Sequence, residues 1–452
     1  MCDNILASPG RTDSDSMLFG KNSDRQCNEA QIVECLPGMD HAPGTPLTCT
    51  YVTLPQARRT HAVLLCRPCW GWGAEMGANE HGIVIGNQGI HARSPGPEEP
   101  ALTGMDLVRL ALERAYTAWQ AVEVITSLLA QHGQGGNCGH LTPTYYNNGF
   151  MIADAREAYV LETVGREWLV ERVQGVRTIS NAYSIRTPLG VSPGLRTLIR
   201  DAGWSAEDDP DFAQAIANPH REHIGHAGAR RATSTSLLRA CQGRVSVQDT
   251  MNILRDHGDG TRYHPEWRAE CLVQRTLCMH AGAEDRPGQT VGAMVSELRR
   301  HTAVHWVTGT AATCISIFKP VFLEVPLPSF GPPPTDRFDA RTLWWRHEQV
   351  HRAALLSDFG TFLEAIRPER DALETQFRAR VASVLDGGDA LERARVIEAC
   401  WREALALEER WRERIALSVP QPGAHTRAWE TLNRIAGLEP LRQELRPAPA
   451  SG

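Results

Sequence analysis

The order of apolar patterns along the chain constrains its fold more than any single residue does. Short apolar runs separated by turn residues occupy residues 1–90, and two segments with helical spacing follow at 102–115 and 118–131. A further helix is predicted to end within 251–256. The strands predicted after the first hairpin are 49–54, 61–66, 82–87, 149–153, 158–163, 168–173, 176–180, 291–298, 303–308 and 314–318. Runs of strands, then helices, then strands favour an α+β fold with two stacked sheets covered by helices over alternating βαβ units.

A proline-rich segment marks the best domain boundary. The sequence SFGPPPTDR at 329–337 cannot continue a helix or a central strand, because proline lacks the backbone N–H that both require. Beyond it, residues 341–417 are rich in strong helix formers. The predicted division is a main domain at 1–330, a linker at 331–337 and a helical extension at 338–452. We expect the extension to pack on the main domain; the alternative is that it mediates dimerisation or docks a partner.

Composition excludes several classes of partner. The 452-residue chain has a formal charge of −6, which argues against a nucleic-acid partner. No apolar run approaches the roughly 18–20 residues needed to cross a bilayer, and no signal peptide is visible, so no membrane partner is expected. Twelve cysteines without a disulfide framework are typical of reduced thiols in a cytoplasmic enzyme.

The sequence contains no recognisable metal motif. Cys66 and Cys69 form one C-x-x-C pair, but no second pair at zinc spacing accompanies it. No H-E-x-x-H occurs among the 17 histidines. His280, His301 and His305 sit among strand-like segments, where structural or surface roles are expected. We therefore predict no metal and no cofactor.

Cys2 is the first candidate for chemistry, because removal of Met1 would make it the terminal residue. A free α-amine has a pKa of roughly 7.7–8.0 and a thiol roughly 8.5, so both titrate near neutrality. An amine held near the sulfur can accept its proton, and the thiolate can then attack a carbonyl. Taken alone, a cysteine at this position is more simply a chance occurrence.

The segment after Cys2 predicts a hairpin that returns charged residues to it. Ile5 and Leu6 indicate a first strand, and residues 17–20 indicate a second that ends before Lys21, Asp24 and Arg25. A carboxylate there could hold the terminal ammonium, and a cation could favour the thiolate. The alternative is an ordinary polar turn.

Several motifs together resemble a known family. They are FGKNSDR at 19–25, RPCWGWGAEMGANEHGIVIGN at 67–87, GMDLVRLALERA at 104–115, GQGGNCG at 133–139, VLETVGREW at 160–168, TISNAYSI at 178–185 and SIFKP at 316–320. With the C-D start, they resemble the secernins of the C69 dipeptidase family, which belong to the N-terminal-nucleophile (Ntn) hydrolases. The resemblance runs in order from residue 2 to about 330, continues weakly beyond it, and implies a four-layer αββα sandwich with a C-terminal helical extension.

The resemblance also implies site residues. Lys21 and Asp24 match a cation and an aspartate of the related choloylglycine hydrolases, although lysine replaces the arginine common there. Asn87 matches an asparagine that helps form the oxyanion hole, and Asn181 matches a second that positions the nucleophile or substrate. Without the resemblance, both asparagines would be interpreted as turn residues.

Two further site residues are implied. Arg230 occupies the position of a family arginine, but its neighbour Arg231 is an equally basic candidate. Glu75 lies near the predicted rim of the site, where it could pair with a substrate amine or form a structural salt bridge.

The function expected from these observations is hydrolysis of an amide bond in a small peptide or amide, most plausibly a dipeptide, through an acyl-enzyme on Cys2. Acyl transfer, an amidase acting on a non-peptide amide, and a non-enzymatic regulatory or scaffolding role on the same fold remain alternatives. A homo-oligomer is compatible with all of them.

Overall fold

The computed structural model describes residues 1–241, 244–257, 276–281, 288–418, 424–438 and 441. The strands are β1 (Cys2–Ala7), β2 (Met17–Gln26), β3 (Gln31–Leu36), β4 (Met39–Asp40), β5 (Pro46–Thr48), β6 (Thr53–Pro55), β7 (Arg59–Thr60), β8 (Val63–Pro68), β9 (Met76–Asn79), β10 (Val84–Ile90), β11 (Asn147–Ala153), β12 (Ala158–Val164), β13 (Glu167–Arg172), β14 (Val176–Ile179), β15 (Gly190–Val191), β16 (Gly288–Leu298), β17 (Ala303–Val307) and β18 (Lys319–Val321).

The helices connect or cover these strands. They are α1 (Gly104–Leu112), α2 (Ala118–His132), α3 (Leu195–Asp201), α4 (Phe212–Ile216), α5 (Pro219–Gly225), α6 (Ala227–Ala240), α7 (Val247–Leu254), α8 (Leu343–Leu355), α9 (Phe359–Leu385), α10 (Ala390–Ile415) and α11 (Ala424–Ala436). Helices α1 and α7 each begin with a capping box, Thr103 with Asp106 and Ser246 with Asp249.

Two antiparallel sheets form the centre of the molecule. The first has the strand order β14-β1-β2-β16-β17-β18, and the second has the order β15-β13-β12-β11-β10-β9-β8-β3. The sheets approach each other closely at Gly86 of β10, where a Cβ atom would overlap Asn4 of β1 and crowd Lys21 and Phe19 of β2. Glycine at position 86 therefore permits the face-to-face contact on which the site is built.

Helices cover both outer faces. Helices α1 and α2 pack on the second sheet, and α6 and α7 pack on the first. This layering confirms the predicted αββα sandwich. Most predicted strands have counterparts, but three predictions were wrong. The second strand does not end before Lys21, because β2 continues to Gln26. Two apolar segments are turns where strands were predicted. Residues 49–52 form the turn between β5 and β6, and residues 313–315 form a turn before β18, so apolar residues there did not mean strands.

The helical extension contacts the first sheet at its β18 edge, through α9 and α10. Trp401 of α10 donates from Nε1 to the Pro320 carbonyl at 2.9 Å, and Lys319 of β18 lies 3.4 Å from Glu408. Gly387 and Gly388 lie between α9 and α10. The division at 331–337 stays a prediction, and residues 442–452 of the predicted extension lie outside the described residues. Among the described residues, no helix is long and apolar enough to span a membrane.

Candidate active site

Cys2 begins β1 and lies opposite Ser23 of β2, as the predicted hairpin requires. Its side chain is 4% exposed and borders a cavity of about 180 Å³. The thiol is directed at Glu75, with Sγ 3.6 Å from Oε2. The main-chain nitrogen of Cys2 donates to Asn181 Oδ1 at 2.7 Å. Both groups of Cys2 that would carry chemistry therefore have polar partners at the same cavity.

A buried ion network surrounds the thiol. Glu75 Oε2 lies 3.8 Å from Lys21 Nζ, and Glu75 Oε1 accepts from Arg25 Nη1 at 3.0 Å. Arg25 is held in turn by Glu29 and by the carbonyl of Cys138 at 2.6 Å. Glu75 thus forms the salt bridge that was one of its two predicted roles, and it also touches the thiol.

Burial raises the pKa of the Cys2 thiol above its usual value, because removing water penalises the thiolate. Lys21 acts in the opposite direction, and the adjacent Glu75 carboxylate raises this pKa further. The cation at position 21 is therefore the main side-chain charge that favours a thiolate at this site.

Asn181 and Arg230 form a second layer behind Cys2. Arg230 is fully buried in α6, donates from Nη2 to Asn181 Oδ1 at 2.8 Å and forms an ion pair with Asp3. Because both partners of Oδ1 are donors, the orientation of the Asn181 amide is determined, and its Nδ2 donates to the Gly89 carbonyl at 2.8 Å. The structure brings Arg230 to the site; Arg231 is only half-buried, and its main-chain carbonyl accepts from Thr178 Oγ1 at 3.1 Å.

Asp24 lies in the same cluster. Its Oδ1 accepts from Thr290 Oγ1 at 2.5 Å, its Oδ2 is 3.9 Å from Arg230 Nη1, and its carbonyl accepts from the Met1 amine at 3.0 Å. Burial raises the pKa of Asp24 to about 6, and the neighbouring Asp3 carboxylate acts in the same direction. The amine at the chain end and Arg230 oppose that rise.

Asn87 is the one predicted site residue that the structure does not bring to Cys2. Its Nδ2 donates to Asn148 Oδ1 at 3.0 Å and to the Gly149 carbonyl at 3.3 Å, beside Gly104 at the start of α1. The neighbouring residue Gln88 points toward the first sheet instead, where it bonds Asn4. Because successive side chains of a strand alternate between faces, Asn87 points to the helical side, and its expected oxyanion role does not fit.

Three residues at the cavity were not predicted. The Tyr146 hydroxyl lies 3.4 Å from Arg25 Nη1, and burial raises the pKa of Tyr146 well above its usual range. Burial and the nearby Arg221 lower the pKa of His91 to about 4, so its imidazole is neutral at pH 7. Arg221 is exposed at the rim and has no ion-pair partner among the described residues. These three residues belong to no local motif, so only the folded chain reveals them.

Comparisons with known proteins identify several solved structures that this chain resembles at low sequence identity. No protein-family model matches the chain. Among solved structures, penicillin V acylase from Agrobacterium tumefaciens is 10% identical, with 71% of this chain and 86% of that chain covered and a TM-score of 0.41. A variant of conjugated bile acid hydrolase from Clostridium perfringens is 12% identical, with 71% and 92% covered and a TM-score of 0.38.

A third similar structure is the Caenorhabditis elegans ortholog of N-acylethanolamine-hydrolyzing acid amidase, 10% identical, with 65% of this chain and 92% of that chain covered and a TM-score of 0.32. At these identities and scores, the similarities assign no substrate and no residue role to this chain.

Proposed function

We propose that this chain is an Ntn hydrolase that cleaves an amide bond of a small substrate with Cys2 as nucleophile, after cleavage of the chain before Cys2. One observation carries the proposal: the thiol and the main-chain nitrogen of Cys2 meet at one buried cavity. That nitrogen already has a fixed acceptor in Asn181. The carbonyl of Asp24, which accepts from the Met1 amine, is a second acceptor close by.

The proposed reaction needs only groups of this chain and water. The free amine of Cys2 takes the thiol proton, and Sγ forms a bond to the substrate carbonyl carbon. The resulting ammonium returns the proton to the leaving nitrogen as the C–N bond breaks, which leaves a thioester on Cys2. Water, deprotonated by the same amine, attacks the thioester and releases the acid and the free thiol.

The amide of Asn181 is proposed as an oxyanion donor in place of Asn87. Its Nδ2 carries two hydrogens, of which Gly89 uses one, so the second can serve the negative charge that develops on the carbonyl oxygen. The Tyr146 hydroxyl is another donor on the same cavity. Arg230 acts through Asn181 and Asp3, which makes it a positioning residue.

A dipeptide is the proposed substrate class, as the C69-like motifs suggested. The cavity holds only a small molecule, and loss of Met1, which forms part of its wall, would enlarge it. A dipeptide carries a carboxylate, and Arg221 at the rim is a cation without an ion-pair partner among the described residues. The carboxylate of such a substrate would be the natural partner of Arg221.

The test compares wild type with Cys2→Ser and with Cys35→Ser, a matched control at a half-buried thiol outside the site. Intact mass first establishes whether Met1 is absent, and a dipeptide library followed by mass spectrometry then measures release of amino acids. We expect release by wild type and by Cys35→Ser, and a large loss in Cys2→Ser. Retention of Met1 in active protein, or equal release by all three, would refute the proposal.

A further inference from the structure

A second group of reactive side chains lies outside the cavity at Cys2. His257, Cys278, His280 and Cys314 are all buried, and one ligand atom from each lies within 4.8 Å of the others. They come from three separate segments: the residues after α7, the segment 276–281, and the turn before β18. We propose that these four residues form a closed, structural zinc site.

The distances agree with tetrahedral zinc. Bond lengths of about 2.0–2.1 Å to nitrogen and 2.3 Å to sulfur place tetrahedral ligands about 3.3 Å apart for N···N and about 3.6 Å apart for S···N. His280 Nε2 lies 3.2 Å from His257 Nε2, 3.6 Å from Cys278 Sγ and 3.4 Å from Cys314 Sγ. These three separations therefore match those expected around one shared ion.

The hydrogen bonds behind His280 direct a lone pair at this centre. Glu348 Oε1 accepts from His351 Nδ1 at 2.8 Å, which leaves His351 Nε2 as an acceptor. That atom lies 2.9 Å from His280 Nδ1, so His280 donates from Nδ1 and keeps the lone pair on Nε2. The one lone pair on His280 Nε2 cannot accept hydrogen bonds from His257, Cys278 and Cys314 at once. A cation at the centre of the four residues can bind all of them. A carboxylate-oriented histidine of this kind is a usual support for a zinc ligand.

Charge and ligand type also select zinc. Two thiolates and two neutral imidazoles around Zn²⁺ have no net charge, which suits a site without access to water. Binding releases two thiol protons to solvent. Thiolate and imidazole in a tetrahedral Cys₂His₂ set are typical of structural zinc, and four protein ligands leave no open position for catalysis.

The zinc site would stabilise the position of β2, the strand that carries Lys21 and Asp24. Asn22 of β2 donates to the carbonyl of Leu254 at 2.8 Å and to that of Leu277 at 2.7 Å, and it accepts from Thr313 at 2.9 Å. Leu277 and Thr313 directly precede the two cysteine ligands, and Leu254 lies three residues before His257. Zinc would therefore hold together the three segments that clamp Asn22.

A second route reaches Asp24 itself. Met279 lies between Cys278 and His280, and its N–H donates to Thr290 Oγ1 at 2.9 Å. The same hydroxyl donates to Asp24 Oδ1 at 2.5 Å. Loss of the metal is thus expected to disturb Asp24, although the zinc site stands whether or not the chain is a hydrolase.

The sequence did not reveal this cluster, and the proposal departs from the prediction of no metal. His280, which was expected to have a structural or surface role, lies at the centre of the cluster. The ligands stand at positions 257, 278, 280 and 314, and the spacing between these positions matches no zinc motif. The four residues are far apart in sequence and come together only through the packing of α7, β16 and β17.

The test uses the full chain, purified under reducing conditions and supplied with zinc chloride, with metal content measured by mass spectrometry. We expect one zinc per chain in wild type and loss of it in a Cys278→Ser/Cys314→Ser double variant. A Cys35→Ser/Cys241→Ser double variant removes two half-buried thiols elsewhere and should keep the metal. His81→Ala disrupts the only other candidate ligand group among the described residues, His61, Glu80 and His81, and should also keep it.

Wild-type protein alone provides a second measurement, which does not depend on folding of the cysteine variant. Cobalt substitution should give the visible bands and thiolate charge transfer of a tetrahedral S₂N₂ site, and a chelator should lower the melting temperature. Folded wild type that binds no zinc, zinc retained by Cys278→Ser/Cys314→Ser, or cobalt bound without thiolate charge transfer would overturn the proposal.

Discussion

The Oδ1 atom of Asn181 lies 2.7 Å from the main-chain nitrogen of Cys2 and 2.8 Å from Arg230 Nη2. One amide oxygen thus connects the nitrogen that would become the catalytic base to a fully buried guanidinium. That guanidinium also pairs with Asp3, the residue next to Cys2. The amino end of β1 is therefore held on both sides before any substrate binds.

Asn181 is predicted to contribute to the rate and Asn87 is not. Asn181→Ala removes a donor at the cavity and should lower kcat by about 10²–10³. Asn87→Ala should leave kcat within a few-fold, but it deprives buried Asn148 Oδ1 of a donor and should destabilise the fold by about 1–3 kcal/mol. Steady-state kinetics and urea unfolding of both variants separate these effects. A larger loss of kcat in Asn87→Ala would contradict the assignment.

Arg230 and Arg231 offer a matched pair. Lysine at position 230 keeps the charge but cannot reproduce the forked contacts to Asp3 and Asn181, so Arg230→Lys should lower kcat by about tenfold or more. Arg231→Lys changes a half-buried residue outside this network and should have little effect. If kcat were equally reduced in both variants, Arg230 would not be the positioning arginine. Circular dichroism of each variant checks that folding is retained.

The raised pKa of Asp24 predicts that the free energy of unfolding depends on pH in protein that retains Met1. Its folded pKa of about 6 lies above the ordinary value of 3.8, so the folded state binds the proton more tightly than the unfolded state. The contribution of Asp24 to stability is therefore fully present below about pH 4 and is lost as the pH rises through 6. The total is on the order of 2–3 kcal/mol.

The measurement is urea unfolding between pH 4 and 7 on protein produced with methionine aminopeptidase inhibited. The change between the two ends of this range should be smaller in Asp24→Asn, since that variant has no carboxyl to titrate. The same pH dependence in both proteins would show that Asp24 does not titrate as described.

Arg221 is predicted to bind the substrate carboxylate. Arg221→Ala should raise KM for dipeptides about two- to fivefold, because an exposed ion pair is worth about 0.2–1 kcal/mol. It should leave KM unchanged for the same dipeptides with an amidated carboxyl end. Arg156→Ala, at an exposed arginine away from the cavity, is the control. An equal rise in KM for free and amidated substrates would assign Arg221 another role.

Local patterns predicted the parts of the site that depend on one hairpin. The β1–β2 pairing sets Cys2 opposite Ser23 and brings Lys21 and Asp24 near the thiol, whereas Arg25 contacts Glu75, the thiol's partner. The layered fold was also predictable, because strand and helix periodicities follow one another in long, separate blocks.

Contacts between distant segments were not predictable in the same way. Whether Asn87 or Gln88 faces the first sheet depends on how β10 is placed in the second sheet, and one position along a strand reverses the side. At Cys314, an apolar run suggested a strand, but the chain turns there just after Ala312, which has a positive φ of 56°. Tyr146, His91 and Arg221 reach the cavity from three different segments.

The most direct measurement of the central claim is intact mass and peptide mapping of the chain after brief mixing with a dipeptide and rapid acid quenching. We predict a chain that lacks Met1 and carries the mass of one acyl group, located on residue 2 and absent in Cys2→Ser. Turnover by a chain that retains Met1, or an acyl group located on any other residue, would contradict the account.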